Sequence, residues 1–393
     1  MKTTVGILGA GQLGCMLASA LHDLDAEVRF YDPDPRAPGM RRFAGGRVAS
    51  FSDEGALSEH LRACDVVTVE MEHVDTAALR KIGARLVPSV DVIETAGSRR
   101  KEKAFLRARQ LPHVAFATAH DVAELRAAVA EVGAPCIVKT SLGGYDGRGQ
   151  WRIEVESAAA TVIGAIGHAL GERFSLTVEE RVDLAQELSC IVARDGTSEV
   201  VFPLFENVHE AGVLDLTMLP ARVDPRVAEA ARDIALETAR ALDVKGLLAV
   251  EFFVLERPPA RSPSHSVAGV HLCINELAPR PHNSGHVTRV ATDVSQFDML
   301  ARVLLGVPLA TPRLVDPGGW CMANLLGERF GADGALATTA LGAAADGLCE
   351  LVLYGKPTAV NGRKMGHLST RGADVENARA SARRLRDALT VTR

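Results

Sequence analysis

A glycine-rich stretch that follows a short apolar run constrains this chain more than any other feature of its sequence. Cys136, Ile137 and Val138 form the apolar run, which predicts a strand, and residues 139–150 follow it directly. Glycines lack the Cβ atoms that keep backbone N–H groups away from a ligand, so such a loop can lie over a chain of phosphate oxygens. Lys139, at the strand end, adds a positive charge. A flexible hairpin tip with solvated charges is the alternative that this stretch leaves open by itself.

Composition limits the class of protein. The chain has 393 residues, is 47% hydrophobic and carries a net charge of -5, which is typical of a globular protein with two or three domains. The seven cysteines are scattered and form no CxxC pair, so they indicate a reduced, cytosolic protein. No apolar run reaches the roughly 18 residues of a membrane span, and the start of the chain reads as a strand and turn. We therefore expect a cytoplasmic protein with no nucleic-acid or membrane partner.

The N-terminal segment has the pattern of a βαβ unit. A strand at 4–8 leads into glycines 9, 11 and 14, and a second strand at 28–31 ends at Asp32. This spacing is a dinucleotide-binding fingerprint, although the glycines can equally serve a tight turn and close packing of helix on sheet. Further strands at 65–70 and 85–88 predict a parallel sheet that ends near residue 95. Glu70 and Glu72 follow one of these strands, at the edge where such sheets bind ligands.

The middle of the chain carries charges at strand and helix ends. A helix that begins near Ser98 places Arg99 and Lys103 on one face, where an anion between them would relieve their repulsion. A strand at 176–182 ends in Glu179 and Glu180, which can hold an adenine through backbone atoms and a ribose through carboxylates. An antiparallel strand at 188–192 follows Glu187, and His209 follows a strand at 200–205. A solvated basic face and a surface histidine are the plainer alternatives.

Two further strands each carry a glutamate among apolar residues. Glu251 lies in the strand 247–254 and Glu276 ends the strand 272–276. Burying a carboxylate is costly unless it is paired or bound to a cation, so one on each of two adjacent strands predicts a Mg²⁺ site. Two outward-facing glutamates are the alternative. A dense polar run from Arg280 to His286 begins at this point and reads as an active-site loop.

The remaining predictions concern surface and C-terminal elements. The stretch RPPARSPSHS (257–266) predicts an exposed loop. Strands are expected at 321–326 and 349–354, and amphipathic helices at 122–132, 157–170, 225–242 and 375–389. Lys356 and Arg363 flank a turn and can clamp a phosphate monoester, unless that turn is merely solvated.

Taken together, these features describe an ATP-grasp fold, and four motifs make the chain similar to the N5-carboxyaminoimidazole ribonucleotide synthetase family of purine biosynthesis. They are GAGQLGCM (9–16), GGYDGRGQ (143–150), NELAPRPHNSGH (275–286) and GRKMGH (362–367). The resemblance implies a mixed α/β and α+β fold. Its expected parts are a Rossmann-like domain (1–95), an ATP-grasp domain (96–310) with a lid at 113–182, and a small C-terminal domain (311–393).

The family carboxylates 5-aminoimidazole ribonucleotide with ATP, Mg²⁺ and bicarbonate, through carboxyphosphate, and the resemblance implies a homodimer. The residues that we expect to bind ATP are Arg99, Lys103, Lys139, Gly144, Tyr145, Asp146, Gly147, Arg148, Gly149, Gln150, Glu179, Glu180, Arg181, Val182, Glu187, His209, Asn275 and Glu276. Those expected at the ribonucleotide are Glu70, Glu72, Tyr145, Asp146, Arg148, Arg280, His282, Asn283, Ser284, Lys356 and Arg363. Glu251 and Glu276 are expected to bind Mg²⁺, and Arg280, His282 and Lys139 to be catalytic.

Three alternatives remain at this point. Another ATP-grasp ligase of purine synthesis, of the formate-dependent glycinamide ribonucleotide transformylase type, would share the architecture but not the GGYDGRGQ and HNSGH motifs together. A Rossmann dehydrogenase would rest on residues 9–32 alone. A non-catalytic nucleotide-binding module would have no reason to keep Lys139, Glu251 and Glu276.

Overall fold

The computed structural model describes residues 2–72, 74–82, 85–143, 149–171, 173–331, 336 and 346–389. In these ranges the strands form one parallel and two antiparallel sheets. No helix in the same ranges is both long and apolar enough to cross a bilayer. Five residues of the predicted phosphate loop, Gly144, Tyr145, Asp146, Gly147 and Arg148, lie outside the described residues.

The N-terminal sheet is parallel, with the order β3-β2-β1-β4. Its strands are β1 (Thr4–Leu8), β2 (Glu27–Asp32), β3 (Arg47–Val48) and β4 (Val66–Val69). The accompanying helices are α1 (Gln12–Asp23), α2 (Pro38–Arg42), α3 (Glu54–Arg62), α4 (Thr76–Ile82) and α5 (Val90–Ala96). The predicted parallel sheet is confirmed, although the segment 85–88 contributes a single bridge, from Leu86 to Val67.

A second, four-stranded antiparallel sheet and its helices form the unit that was predicted to be a lid, and we refer to this unit as the lid. After α6 (Arg99–Ala108), the chain builds the order β5-β8-β6-β7, with two helices packed against the sheet. These elements are β5 (Phe116–Ala119), α7 (Val122–Val132), β6 (Cys136–Thr140), β7 (Gln150–Ile153), α8 (Glu156–Leu170) and β8 (Leu176–Glu180). The chain thus enters and leaves the lid through two short hinge segments, 111–115 and 181–184.

The third sheet is the largest and carries the strands with the predicted metal ligands. Its main path is β14-β15-β13-β9-β11-β12-β16-β18-β17, and β10 pairs with β9 beside it. The strands up to β15 are β9 (Gln186–Arg194), β10 (Glu199–Val201), β11 (Phe205–Glu210), β12 (Val213–Leu219), β13 (Gly246–Leu255), β14 (His265–Val267) and β15 (Val270–Ala278). The single strand predicted at 200–205 is wrong, since Pro203, which has no N–H to donate, separates β10 from β11.

The C-terminal segment extends this same sheet. Strand β16 pairs with β12, and β18 then pairs with β16 and with β17. Helix α9 (Pro225–Ala241) precedes β13, and α10 (Thr288–Ala291) and α11 (Gln296–Leu305) precede the C-terminal elements β16 (Gly319–Leu326), β17 (Leu348–Leu353), β18 (Lys364–Gly372) and α12 (Val375–Ala388). Short 3-10 helices occupy Asn283–Val287 and Gly327–Arg329. Six cysteines are buried as predicted, whereas Cys349 is exposed.

The stretch between β13 and β14, residues 257–264, forms an arm that reaches the lid; we call it the hinge arm. Most of it is exposed, as predicted, but Ser262 is buried. The Ser262 hydroxyl accepts a hydrogen bond from the Ala115 N–H at 2.6 Å and donates one to the Glu180 carboxylate. The Arg261 guanidinium donates to the carbonyl of Val132, at the C-terminal end of α7. The hinge arm therefore contacts the chain on both sides of the lid.

Candidate active site

Three cationic side chains from two elements, α6 and β6, lie at the Glu179 carboxylate or near it. Lys139 Nζ, at the end of β6, lies 2.5 Å from Glu179 Oε2, and Arg99 Nη1, at the start of α6, lies 3.7 Å from Oε1. Burial opposes ionisation of Glu179, but Lys139, Lys103 and Arg99 outweigh it and lower the pKa of this carboxyl to about 2. The structure thus assembles the positive charges that a triphosphate requires, with Glu179 as their counter-ion.

The two predicted metal ligands lie opposite one another. Glu251 of β13 pairs directly with Glu276 of β15, so their side chains share one face of the sheet. Asn275 Nδ2 contacts Glu251 Oε2 at 3.3 Å, and Arg99 Nη2 contacts Glu276 Oε2 at 3.3 Å. Burial would raise the pKa of Glu251, but His282, His209 and Lys364 lower it to about 2. Two carboxylates beside an amide form a donor set that suits Mg²⁺.

Such a metal would depend on the nucleotide for part of its coordination. In the part of the chain that the structure describes, no group of three or more His, Cys, Asp or Glu side chains is arranged to hold a metal ion. Mg²⁺ commonly binds one or two carboxylates together with substrate phosphates. Glu251 and Glu276 fit that mode of binding. Arg99 contacts Glu276, and Lys139 lies beyond Arg99 at Glu179, so phosphate-binding cations stand next to the carboxylates.

A pair formed by a histidine and a glutamate extends the site along the large sheet. His209 Nδ1 lies 2.6 Å from Glu187 Oε2, and these residues belong to neighbouring strands β11 and β9. Burial lowers the pKa of His209, but its hydrogen bond with Glu187 and the charge of Glu251 raise it more. The sequence does not decide whether His209 is a solvent-exposed histidine or part of the site. In the structure His209 lies within electrostatic reach of Glu251, one of the two carboxylates.

The polar loop after β15 connects the N-terminal sheet with the carboxylates. Arg280 makes a bidentate ion pair with Glu72, in which Nη2 lies 2.9 Å from Oε1. His282 Nε2 lies 2.9 Å from Glu251 Oε1, and its Nδ1 lies 2.8 Å from the Ser284 hydroxyl. Asn283 exchanges two amide hydrogen bonds with Asn324 of β16. The loop is thereby fixed from three directions.

Glu70 occupies the anion-binding end of α1. Its carboxylate accepts the backbone N–H groups of Gly11 and Gly14 at 2.5 and 2.7 Å, and a Cβ added at Gly11 would collide with it. In a dinucleotide site these N–H groups would point at a pyrophosphate. Asp32 accepts the N–H of Ala10 at 2.8 Å, so it too is engaged by the loop. The glycine fingerprint therefore serves internal packing and a carboxylate, which argues against the dehydrogenase alternative.

The C-terminal cations lie near this same edge. Lys356 Nζ donates to the carbonyl of Lys364 at 2.7 Å, and Arg363 donates to Thr358 at 3.0 and 3.1 Å. Lys356 is among the charges that influence Glu70, and Arg363 is among those that influence Asp34. Lys356 and Arg363 therefore lie within electrostatic range of carboxylates of the N-terminal domain.

Several predicted nucleotide contacts turn away from this cluster. The Glu180 carboxylate, on the face of β8 opposite to Glu179, accepts the Arg261 N–H and the Ser262 hydroxyl of the hinge arm. Arg181 pairs with Glu154, and Val182 packs beside Val114, Leu255 and Cys273. Gly149 has a φ of 68° and approaches Thr140, while Gln150 pairs with Lys139 in the β6–β7 register. These residues can offer backbone atoms to a ligand, whereas the side chains of Glu180, Arg181 and Val182 are already engaged.

Some polar residues of the site were not predicted. Gln296 is fully buried, and its amide exchanges hydrogen bonds with the backbone N–H and carbonyl of His282, both at 2.8 Å. Glu102 is also buried and accepts the backbone N–H of Leu277 at 2.8 Å. Glu102 stands in the charged run RRKEK, which reads as a solvated surface. The signal that could have revealed Glu102 is its position directly before Lys103. If Lys103 of this helix points inward, the adjacent acidic residue can be buried beside it.

Comparisons with known proteins agree with this geometry. Three family models match: the ribonucleotide synthetase preATP-grasp domain at residues 1–96, the ATP-grasp domain at residues 104–297, and the phosphoribosylaminoimidazole carboxylase C-terminal domain at residues 321–381. The chain is 35% identical over 377 residues to N5-carboxyaminoimidazole ribonucleotide synthase of Brucella melitensis, covering 93% of this chain and 96% of that protein. It is 32% identical to the Bacillus subtilis synthase, covering 93% and 90% of the two chains.

Solved structures give the same result in three dimensions. N5-carboxyaminoimidazole ribonucleotide synthetase from Thermotoga maritima is 31% identical, with a TM-score of 0.83 and 99% of each chain covered. The Aspergillus clavatus synthase, in complex with ADP and 5-aminoimidazole ribonucleotide, is 28% identical, with a TM-score of 0.84 and 99% and 98% covered. The predicted mixed α/β ATP-grasp fold is confirmed. With this fold, these motifs and relatives of such identity over nearly the whole length, the chain belongs to the N5-carboxyaminoimidazole ribonucleotide synthase family.

Proposed function

We propose that this ATP-grasp ligase of purine biosynthesis converts 5-aminoimidazole ribonucleotide, bicarbonate and ATP into N5-carboxyaminoimidazole ribonucleotide, ADP and phosphate. The observation that carries the proposal is the convergence of Lys139 and Arg99 with Glu276 and Glu251, because it brings phosphate-binding cations and metal-binding carboxylates from three chain segments to one place. A relative with the same fold has been solved with ADP and 5-aminoimidazole ribonucleotide.

In this proposal ATP lies between the lid and the large sheet. Lys139 and Arg99 exchange their contacts with Glu179 for the phosphate oxygens of the nucleotide. The strand end at Glu179–Val182 offers backbone atoms to the adenine, and Glu187 with His209 is placed toward the ribose. Glu251 and Glu276 would hold Mg²⁺, which supplies charge neutralisation at the transferring phosphoryl group.

The chemistry then follows in three steps. A bicarbonate oxygen attacks the γ-phosphorus of ATP, so that a new P–O bond forms, the bond to ADP breaks and carboxyphosphate results. The C–O bond of carboxyphosphate breaks to give CO₂ and phosphate. The exocyclic amine of the ribonucleotide forms a bond to the carbon of CO₂, and the departing phosphate takes the amine proton. Arg280, held by Glu72 on one side, presents positive charge to carboxyphosphate beside His282.

The ribonucleotide would occupy the cleft between the two ends of the chain. Its phosphate is assigned to Lys356 and Arg363, and its base to the polar loop at His282, Asn283 and Ser284.

We extend the proposal to the domain limits 1–95, 96–310 and 311–393, to a homodimer and to a cytoplasmic location. Light scattering on a sizing column tests the homodimer, for which a single-chain mass would be contrary.

One assay tests the proposed function. ADP release is measured with ATP, Mg²⁺ and bicarbonate, with and without 5-aminoimidazole ribonucleotide, and the carboxylated product is trapped with ¹⁴C-bicarbonate. We expect ribonucleotide-stimulated ADP release with label in the product. Folded, Mg²⁺-supplied protein that shows no such stimulation would contradict the proposal. Stimulation by glycinamide ribonucleotide with formate instead would favour the transformylase alternative.

A further inference from the structure

Strand β15 contains a bulge at Asn275, directly before the predicted metal ligand Glu276. Glu276 pairs with Glu251, but the next pair along the strands is Ile274 with Phe252, so Asn275 has no partner on β13. Neighbouring residues of a regular strand point to opposite faces, and a bulge is the ordinary way to turn two of them to one side. Asn275 does contact Glu251, the residue opposite Glu276. The bulge therefore lets adjacent residues serve the same site.

Beyond Leu272 the outer edge of β15 has no β14 residue beside it, and helix α6 supplies partners to two backbone groups of that edge. Lys103 Nζ donates to the carbonyl of Asn275 at 2.6 Å, and Glu102 Oε2 accepts the N–H of Leu277 at 2.8 Å. The two backbone groups flank Glu276 directly. Lys103 is fully buried and Glu102 is 1% exposed, so water does not compete for either contact. Lys103 Nζ and Glu102 Oε1 lie 3.6 Å apart and neutralise each other.

We propose that Lys103 and Glu102 are positioning residues, which hold the β15 bulge so that Asn275 and Glu276 both face the magnesium–nucleotide site. Lys103 was predicted to touch ATP, whereas here its ammonium group acts through the backbone of Asn275. The inference rests on the proposed function only in that the site is taken to bind a magnesium nucleotide. Groups that orient metal ligands typically change metal affinity by about 10- to 100-fold when they are removed.

The test uses substitutions that separate positioning from folding. Lys103→Met alone would leave the buried Glu102 charge without its partner, which is strongly destabilising. The double variant E102Q/K103M removes both charges and keeps an oxygen that accepts the Leu277 N–H, but it cannot donate to Asn275. Glu102→Gln alone keeps both backbone contacts but leaves the buried Lys103 charge without Glu102, so its melting temperature should fall while its Mg²⁺ requirement stays the same. Lys101→Met is the matched control, because Lys101 is an exposed lysine of the same helix that pairs with Glu94.

The readout is ADP binding by calorimetry over a series of Mg²⁺ concentrations, with neither bicarbonate nor ribonucleotide present. We expect E102Q/K103M to require about 10-fold or more Mg²⁺ for half-maximal ADP affinity, with Glu102→Gln and Lys101→Met close to the unsubstituted chain. If the double variant keeps native circular dichroism and an unchanged Mg²⁺ requirement, the proposal is overturned, even if its melting temperature falls. Because the measurement omits the carboxylation substrates, failure of the proposed reaction leaves it interpretable.

Discussion

His60 shows how a single buried side chain links stability to pH. Its ring is 6% exposed and packs edge-on against Tyr31, with ring centroids 5.3 Å apart, and Nε2 has no hydrogen-bond partner among the described residues. Burial lowers the pKa of His60 from 6.5 to about 4, since the charged ring would lose its hydration. Burial likewise lowers the pKa values of His286 and His367. These rings are therefore held neutral by the fold.

We expect His60→Phe to make the protein less sensitive to acid. The folded-state pKa lies below the unfolded value, so the stability contributed by a neutral His60 is fully present above pH 6.5 and is lost progressively as the pH falls toward 4. From about pH 7.5 to about pH 5.5, the unsubstituted chain should lose about 1 kcal/mol more of its free energy of unfolding than His60→Phe does. Urea denaturation at both pH values measures the difference.

The exposed histidine of α8 provides the control for this measurement. His168→Phe removes a histidine from the surface of the lid and should leave the pH dependence as it is. Equal losses of stability in His60→Phe and in the unsubstituted chain would show that His60 is not kept neutral by burial.

At the scale of elements, the hinge arm is the connection that most affects the lid. Its Ser262 hydroxyl contacts the Ala115 N–H in the entry segment and the Glu180 carboxylate at the end of β8, next to the exit segment. The carbonyl of Pro263 accepts the N–H of His113 at 3.0 Å. We therefore expect these contacts to restrain the lid, although the sequence shows this loop only as rich in proline and serine.

Ser262→Ala tests this role of the hinge arm. The substitution leaves the Ala115 N–H and one Glu180 oxygen without the hydroxyl, and an unsatisfied buried group costs about 1–3 kcal/mol. Backbone amides of the two hinge segments should then exchange with deuterium faster, by about the same free energy, while β13 and β15 keep their protection.

Ser264→Ala is the matched control for the hinge arm. Ser264 lies two residues further along the chain. Within the described residues, its hydroxyl makes one hydrogen bond, to Nδ1 of His271 at 3.3 Å. Unchanged exchange at both hinge segments in Ser262→Ala would refute the restraint that we assign to the hinge arm.

At the scale of the whole molecule, the N-terminal and C-terminal parts of the chain contact each other. Strand β16 joins the C-terminal elements to the large sheet through β12, and this pairing carries Lys356 toward the N-terminal sheet. Arg42 of α2 donates to the carbonyl of Leu353 at 2.9 Å, and Arg41 donates to that of Gly355 at 3.4 Å. The N-terminal helix α2 is thus joined directly to the segment that carries Lys356.

Lys356→Ala is expected to weaken ribonucleotide binding selectively. Loss of a charge-assisted contact with the phosphate should raise the KM for 5-aminoimidazole ribonucleotide about 10-fold or more, with little change in the KM for ATP. Steady-state kinetics with each substrate varied in turn measure both constants. Lys245→Ala, at an exposed lysine before β13, should change neither. An unaltered KM for the ribonucleotide would remove Lys356 from the site.

The sequence by itself determined the elements and the identity of the reactive groups. Hydrophobic periodicity placed α7, α8, α9 and α12 within one or two residues and identified β1, β8, β13 and β15, because buried faces repeat at fixed intervals along the chain. The glycine-rich and acidic motifs showed which residue types the site contains. No strand was predicted at β12 or β18, although in β12 the apolar Leu214, Leu216 and Met218 alternate with Asp215 and Thr217, which is a strand signal present in the sequence.

Only the tertiary structure decided which groups face one another. A sequence does not show that Glu179 turns toward Lys139 while Glu180 turns toward the hinge arm, since that depends on the orientation of the lid. Nor does it show the bulge at Asn275, which arises from pairing with a strand some 20 residues away and from contacts with α6. Contacts between distant segments depend on how the elements pack together. A local sequence pattern does not show which distant residues will contact each other.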